Sequence, residues 1–425
     1  MTLVYSRWLY VCLLLAAGCA SAAQSPLATA EALVTAIPTP TPVSVAPTPA
    51  LTTEEQRPLT IWMPDELAPL NNTDAAALLT AQLDEYLSTQ AQYRIELRTK
   101  KPDGVGGIME TLRAAREVAP GALPDLTLLR RADLLTAIEA GLIQPLSTML
   151  PRTLLSSLHP ATTRLGQING TIYGVPYALI IQHMAYRPDV LSGTYASFEE
   201  VLSNRQPLVF PAGSDAGLNI VLLQYLAAGG RISDLENGRL NRDALLTVFN
   251  FYASAREADL VGTTLFNYTR TSDYLDLLVN SEINAAVLDS SSYLTALARG
   301  RALTAAPLPM PDGEALTLLD GWMWVLMTGS AERQTVAIDL LTWMLDAERQ
   351  AAYTRAVNVI PAGRDALSQW DAGVYSTFVT QILENTRTLP AKNSMLFVAL
   401  QEALAAIIAG ERTAEEAVDS LVVTE

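Results

Sequence analysis

A chain of 425 residues with 50% hydrophobic and 17% charged residues carries enough apolar material for a large core, so it reads as one two-lobed unit or two domains rather than a single small one. Lys+Arg number 28 against 44 Asp+Glu, a net charge of -16, which argues against nucleic acid or an anionic membrane surface as partner because both need a basic footprint. The 2 cysteines, Cys12 and Cys19, lie near the N-terminus, and the 2 histidines, His159 and His183, lack metal-ligand spacing, so no metal site, thiol nucleophile or cofactor is expected.

In chain order, residues 1–19 carry Arg7, the apolar run Trp8 to Ala17 and the small-residue end Ala16-Ala17-Gly18-Cys19. This is a secretory signal, too short for a comfortable transmembrane helix. Residues 20–57 are rich in Ala, Ser, Thr and Pro, including Thr39-Pro40-Thr41-Pro42. Such a segment cannot bury enough apolar surface to fold, and it reads as an extended stalk.

The fold begins at Leu59 to Pro64, a short apolar strand stopped by proline, with Trp62 near its carboxyl end and Glu66 just beyond. Ligands of open α/β sheets collect at such ends, which makes both cleft candidates. A helix follows over 74–90, a strand at Tyr93 to Leu97, a helix at Gly107 to Val118 and a third strand at Leu123 to Leu129, hence a parallel sheet. Arg130 and Arg131 close that strand. Either is able to fork onto a carboxylate, a phosphate or sugar hydroxyls, or to stand as a solvated loop pair or a partner for Asp133. Asn169-Gly170 turns into alternating apolar and aromatic residues and the run Leu179 to Tyr186, a hairpin feeding a long strand that carries Tyr177 and Gln182.

Ser197 and Glu200 form a capping box, Leu208-Val209-Phe210 reads as a strand, and the helix Asn219 to Leu226 runs into Gly229-Gly230. Asn241 to Ala258 places Leu245, Phe249 and Tyr252 on one helical face, a core pattern. Ile283 to Ser290 reads as a strand whose end offers Asp289, Ser290 and Tyr293 as polar contacts, or else as a turn and N-cap for a helix beginning near Tyr293. Leu316 to Met327 contains Asp320-Gly321-Trp322-Met323-Trp324, with both indoles on one face of an extended strand. Glu332 to Met344 is an amphipathic helix.

Several of these stretches, in this order, resemble extracellular solute-binding proteins that feed ABC sugar importers. Asn169 to Tyr177 is similar to that family's N-G-x-x-Y-G-V-P-Y, Ser197 to Leu202 to its T-W-E-E-L, and Gly321-Trp322 to its G-G-W, with Asp320 replacing the first Gly. Asn358 to Ala362 resembles G-x-x-P-A, and Gly410 to Ala417 resembles the closing G-E-x-T-x-E-E-A. The resemblance implies an α/β, two-lobed periplasmic-binding-protein-like fold (type II), with mixed sheets flanked by helices and a ligand cleft between lobes. The expected lobes are 58–178 with 322–357, and 179–321 with 358–425. It implies a monomer that captures a solute, by preference a carbohydrate, through hinge closure and delivers it to ABC transporter permease subunits. Trp62, Glu66, Arg130, Tyr177, Gln182, Asp289, Ser290, Tyr293, Asp320, Trp322 and Trp324 are the expected ligand contacts. The segment ending at Cys19 resembles a lipobox, with Leu15 one step early, so Cys19 is the expected lipid-anchored residue of a cell-membrane protein outside the cytoplasm. A soluble secreted or periplasmic form is the alternative. No G-x-S-x-G elbow, P-loop, H-E-x-x-H or dinucleotide turn occurs, which argues against an enzyme. A glycoside-acting enzyme needs only two carboxylates and stays as an alternative, beside a surface sensor or scaffold.

Overall fold

The computed structural model describes residues 56–68, 72–370, 373–389 and 394–421; the signal segment, Cys19 and the linker up to residue 55 lie outside them. Strands β1 (Arg57–Pro64), β2 (Tyr93–Lys100) and β3 (Leu126–Arg130) are parallel, joined by the helices Thr73–Thr89 and Ile108–Val118. The side chain of Asn72 accepts from the Ala75 amide and fixes the start of the first helix. Leu126 to Leu129 are all buried, as expected of a parallel strand covered on both faces.

The hairpin of β4 (Gln167–Ile168) and β5 (Thr171–Ile172) turns at Asn169 and Gly170, whose φ angles of 50° and 80° are those of a type I′ turn. It leads into β6 (Val175–Tyr186), a strand of 12 residues that changes partners along its length. Its first part pairs antiparallel with β9 (Thr317–Leu326). From Gln182 onward it pairs instead with β7 (Ala285–Asp289), and at its end also with β8 (Thr304–Ala306). On the far side β9 pairs with β3, β10 (Ile360–Pro361) adds to β6, and β11 (Thr386–Arg387) runs parallel to the start of β9. The result is a 9-stranded mixed sheet in which β6 and β9 connect everything else.

A Cβ on Gly321 would lie 2.2 Å from the Ala178 carbonyl oxygen, so the close approach of β9 to β6 requires glycine there. Two hydrophobic cores flank this junction. One includes Ile61, Leu128, Trp324 and Leu341 and continues along the sheet to Leu288 and Tyr293. The buried residues of the second fall in 184–318 and 396–418 among the described residues and centre on aromatics such as Phe210, Phe249 and Tyr252, with Phe198 stacked on Phe251 at 3.9 Å.

Helix 242–257, the Ser197–Glu200 capping box and the helix Ala331–Met344 stand where the sequence puts them. Two elements differ. Leu208 to Phe210 is extended but joins no ladder: Leu208 donates to the Leu260 carbonyl and Val209 accepts from the Val287 amide. Pro207 and Pro211 flank it and remove the donors a ladder needs. The helix expected near Tyr293 begins at Ser290, capped by Asp289, which accepts from the Ser292 amide.

Candidate functional site

Strand register gathers a set of charged side chains on one face of the sheet. Arg130 on β3 lies opposite Trp322 on β9, Asp320 lies opposite Ile180 on β6, and two residues further along β6 Gln182 lies opposite Asp289 on β7. Residues two apart on a strand share a face, so these groups line one continuous surface across the β6–β9 junction. Glu66, in the turn that ends β1, reaches the same place.

The contacts there are specific. Glu66 Oε1 accepts from the Trp322 indole N–H at 2.5 Å, and the Arg130 guanidinium lies 3.2 Å from Asp320 Oδ2 and over the Trp322 ring at 5.5 Å. The Arg130 and Asp320 side chains keep 32% and 43% of their surface exposed, so water reaches this floor. Glu66 is also exposed, yet hemmed in by protein atoms. Loss of surrounding water raises its pKa; Arg130 and the Trp322 N–H oppose this, and Asp289 and Asp65 add to it. Crowding works against the charge of Arg130, but Asp320, Glu66, Asp289 and Asp103 more than offset it and raise its pKa. Asp133, in the first turn of the helix Arg131–Glu139, is pushed up to about 6, first by loss of water and then by Asp320 and Asp103, against Arg130 and Arg113.

The other expected residues are placed differently. Trp62 and Trp324 are 2% exposed, Trp322 1% and Tyr177 0%, so none offers a free ring face. Trp324 packs against Tyr177 at 5.6 Å between ring centres, and Lys100 Nζ sits 4.7 Å from the Trp62 ring. Ser290 is buried and its Oγ accepts from the Ile181 amide; Tyr293 is buried and donates to the Leu303 carbonyl. Asp289 spends hydrogen bonds on the Ser292 amide and hydroxyl, at 2.9 and 2.7 Å. Gln182 is half-buried and donates to the Ala216 carbonyl at 3.3 Å.

Arg131 diverges from its neighbour. Its Nη1 donates to the carbonyls of Arg164, Leu165 and Gln167 at 3.1, 2.8 and 3.1 Å, which pins the turn before β4 against β3. It therefore holds backbone, and Asp133 stands beside Arg130 rather than beside Arg131. Asp133 and Asp103 are the charged residues that the sequence argument left out of the site. The available signal was the i to i+3 spacing of Arg130 and Asp133 across a strand-to-helix boundary. A separate groove of about 780 Å³, lined by Arg131, His159, Arg164, Glu236, Glu384 and Arg387 among others, contains none of the charged floor residues.

Residues 81–373 match a family described as bacterial extracellular solute-binding protein. No curated protein matches the chain. Among solved structures, the fold is similar to a cyclic α-maltosyl-1,6-maltose binding protein from Arthrobacter globiformis, with a TM-score of 0.69 and 16% identity over 86% of this chain and 97% of that one. It is similar to the maltose-bound T. maritima MalE3 (TM-score 0.67, 16% identity, 86% and 97%) and to an ABC transporter solute-binding protein from Thermotoga lettingae bound with α-D-tagatose (TM-score 0.67, 17% identity, 86% and 98%). Identities this low establish the two-lobed α/β fold and nothing finer.

Proposed function

We propose, since the chain belongs to the bacterial extracellular solute-binding proteins, that it captures a carbohydrate outside the cytoplasm at the charged floor where β6 and β9 meet, and hands it to a membrane permease. The observation that carries this reading is the solvent-reached set of Glu66 after β1, Arg130 on β3 and Asp320 on β9, gathered beside the two strands, β6 and β9, that connect the rest of the sheet. A ligand seated there touches residues before and after the junction. The carboxylates and Arg130 supply acceptors and donors for hydroxyl groups, with Gln182 and Asp289 beside them.

In this reading residues 58–178 with 322–357 form one lobe, and 179–321 with 358–425 form the other. The confinement of the second core's buried residues to 184–318 and 396–418 supports a separate second lobe, while the first core crosses the division through residues such as Leu288, Tyr293 and Tyr375. Closure follows from differential affinity: a ligand that contacts both lobes only when they approach favours the closed form. The protein acts by binding rather than turnover. Cys19 carries the lipid anchor and the Pro/Thr-rich stalk sets the domain off the membrane; among the described residues no helix is long and apolar enough to cross one.

The experiment is a melting-shift and calorimetry screen against neutral and charged mono- and oligosaccharides. Binding without consumption of the sugar is the expected result. Hydrolysis of an aryl glycoside would favour the glycosidase alternative, and the absence of any sugar binding would contradict the proposal.

A further inference from the structure

The floor described above is held from beneath by one buried side chain. Trp322 is 1% exposed, and its indole meets two of the charged groups above it: the N–H donates to Glu66 Oε1 at 2.5 Å, and the Arg130 guanidinium lies over the ring at 5.5 Å. Strand register puts it there. Trp322 lies opposite Arg130 on β3 and opposite Ala178 on β6, and Asp320, two residues earlier on β9, pairs with Arg130 at 3.2 Å.

The other tryptophans of the sheet show that the fold does not demand a partner for such an N–H. Trp62 on β1 and Trp324 on β9 are 2% exposed, and neither indole nitrogen has a hydrogen-bond partner among the described residues. Trp322 instead spends its N–H on an exposed carboxylate. The backbone around Glu66 is fixed independently: the Leu67 and Ala68 amides donate to the Pro64 carbonyl, and the Tyr353 hydroxyl donates to the Leu67 carbonyl. What the turn leaves free is the Glu66 side chain, whose hydrogen-bond donor among the described residues is the Trp322 N–H. A long side chain that a ligand must immobilise costs affinity, and one already immobilised does not.

We infer that Trp322 is the positioning residue of the proposed sugar site: enclosed and out of a ligand's reach, it holds Glu66 by its N–H and Arg130 by its ring face, so that acceptor and donor stand at a set spacing before the ligand arrives. This rests on the carbohydrate reading above and adds to it the residue that organises the site in advance.

The test is a double-mutant cycle measured by calorimetry on the full chain, with maltose or the neutral sugar of the wider screen that binds most tightly as the probe. Trp322→Phe keeps an aromatic ring under Arg130 and removes the N–H. It should weaken binding about three- to tenfold, the loss expected when the ligand must order one more side chain. Glu66→Ala lowers affinity by itself, and in that background Trp322→Phe is expected to cost less than it does in the wild type, because the N–H then has no carboxylate to hold. A pH series supplies a signature that loss of packing alone would not. Glu66 is flanked by Arg130 on β3, Asp289 at the end of β7 and Asp65 in its own turn, and Arg130 and the Trp322 N–H are the groups that favour its charged form. Without the N–H, Glu66 takes up its proton at a higher pH, so the fall in affinity toward acid should begin at a higher pH in Trp322→Phe, and this shift should vanish in the Glu66→Ala background. Full affinity in Trp322→Phe, losses from the two substitutions that simply add, or an acid-side fall that does not move overturns the positioning role and leaves the carbohydrate reading standing. Binding of no sugar by the wild type overturns both.

Discussion

At the scale of single residues, the burial of Trp322 decides what its loss would do. The ring is enclosed and its N–H is spent on Glu66, so Trp322→Ala should leave a cavity and lower stability by roughly 3 to 5 kcal/mol. Thermal unfolding measured beside calorimetric binding checks this: a variant that melts like the wild type but loses sugar affinity would return the ring to a stacking role. The charged neighbours were legible in the sequence because strand ends and turns announce them. The enclosure of the indoles was not, because alternation says which face a side chain takes and not which helix covers that face. His183 gives a second prediction at this scale. It is fully buried on β6, its Nδ1 donating to the Met184 carbonyl at 2.8 Å and its Nε2 accepting from the Tyr375 hydroxyl at 2.9 Å, with Tyr293 and Phe378 against the ring. Burial lowers its pKa from 6.5 to about 4, against the Met184 carbonyl and Asp289. The unfolded chain therefore binds a proton that the folded one refuses. Stability from the neutral ring is present above pH 6.5 and is lost as pH falls toward about 4, by up to about 3 kcal/mol. Asp133, raised to about 6, acts in the opposite sense, since its contribution is present at low pH and lost as pH rises through that value. Chemical denaturation across this window should show a steeper loss toward acid for the wild type than for His183→Phe; equal slopes would contradict the assignment.

At the scale of elements, the meeting of β6 and β9 is the feature on which the site depends. Gly321→Ala would put a methyl group 2.2 Å from the Ala178 carbonyl, a backbone atom that cannot rotate away, so the strands must separate. The expected outcome is a marked fall in melting temperature together with weakened ligand binding, because Asp320 and Trp322 flank the displaced residue. A variant that melts and binds normally would mean that the two strands slide without cost. Much at this level was readable in advance. Asn169-Gly170 selects a type I′ hairpin, Ser197 and Glu200 announce a helix start, and the apolar run of β3 implies a covered parallel strand. Leu208 to Phe210 misled because a short apolar run looks the same whether or not its flanking prolines allow a ladder. The change of partners along β6, from β9 to β7 and β8, was also hidden, because pairing between segments more than a hundred residues apart leaves no local pattern.

At the scale of the whole molecule, the proposed capture of a sugar requires two lobes, joined through β6, β9 and β10, to close on the charged floor. Motif order made the two-lobed fold foreseeable, whereas the gathering of Arg130, Asp320, Gln182 and Asp289 on one face emerged only from strand register. The most direct measurement is small-angle X-ray scattering of the soluble domain with and without a sugar that calorimetry has shown to bind, run beside the Asp320→Asn variant. A smaller radius of gyration on saturation of the wild type, with binding weakened in the variant, is the predicted result. An unchanged scattering profile at saturation, or full affinity in the variant, would contradict closure of the lobes on this floor.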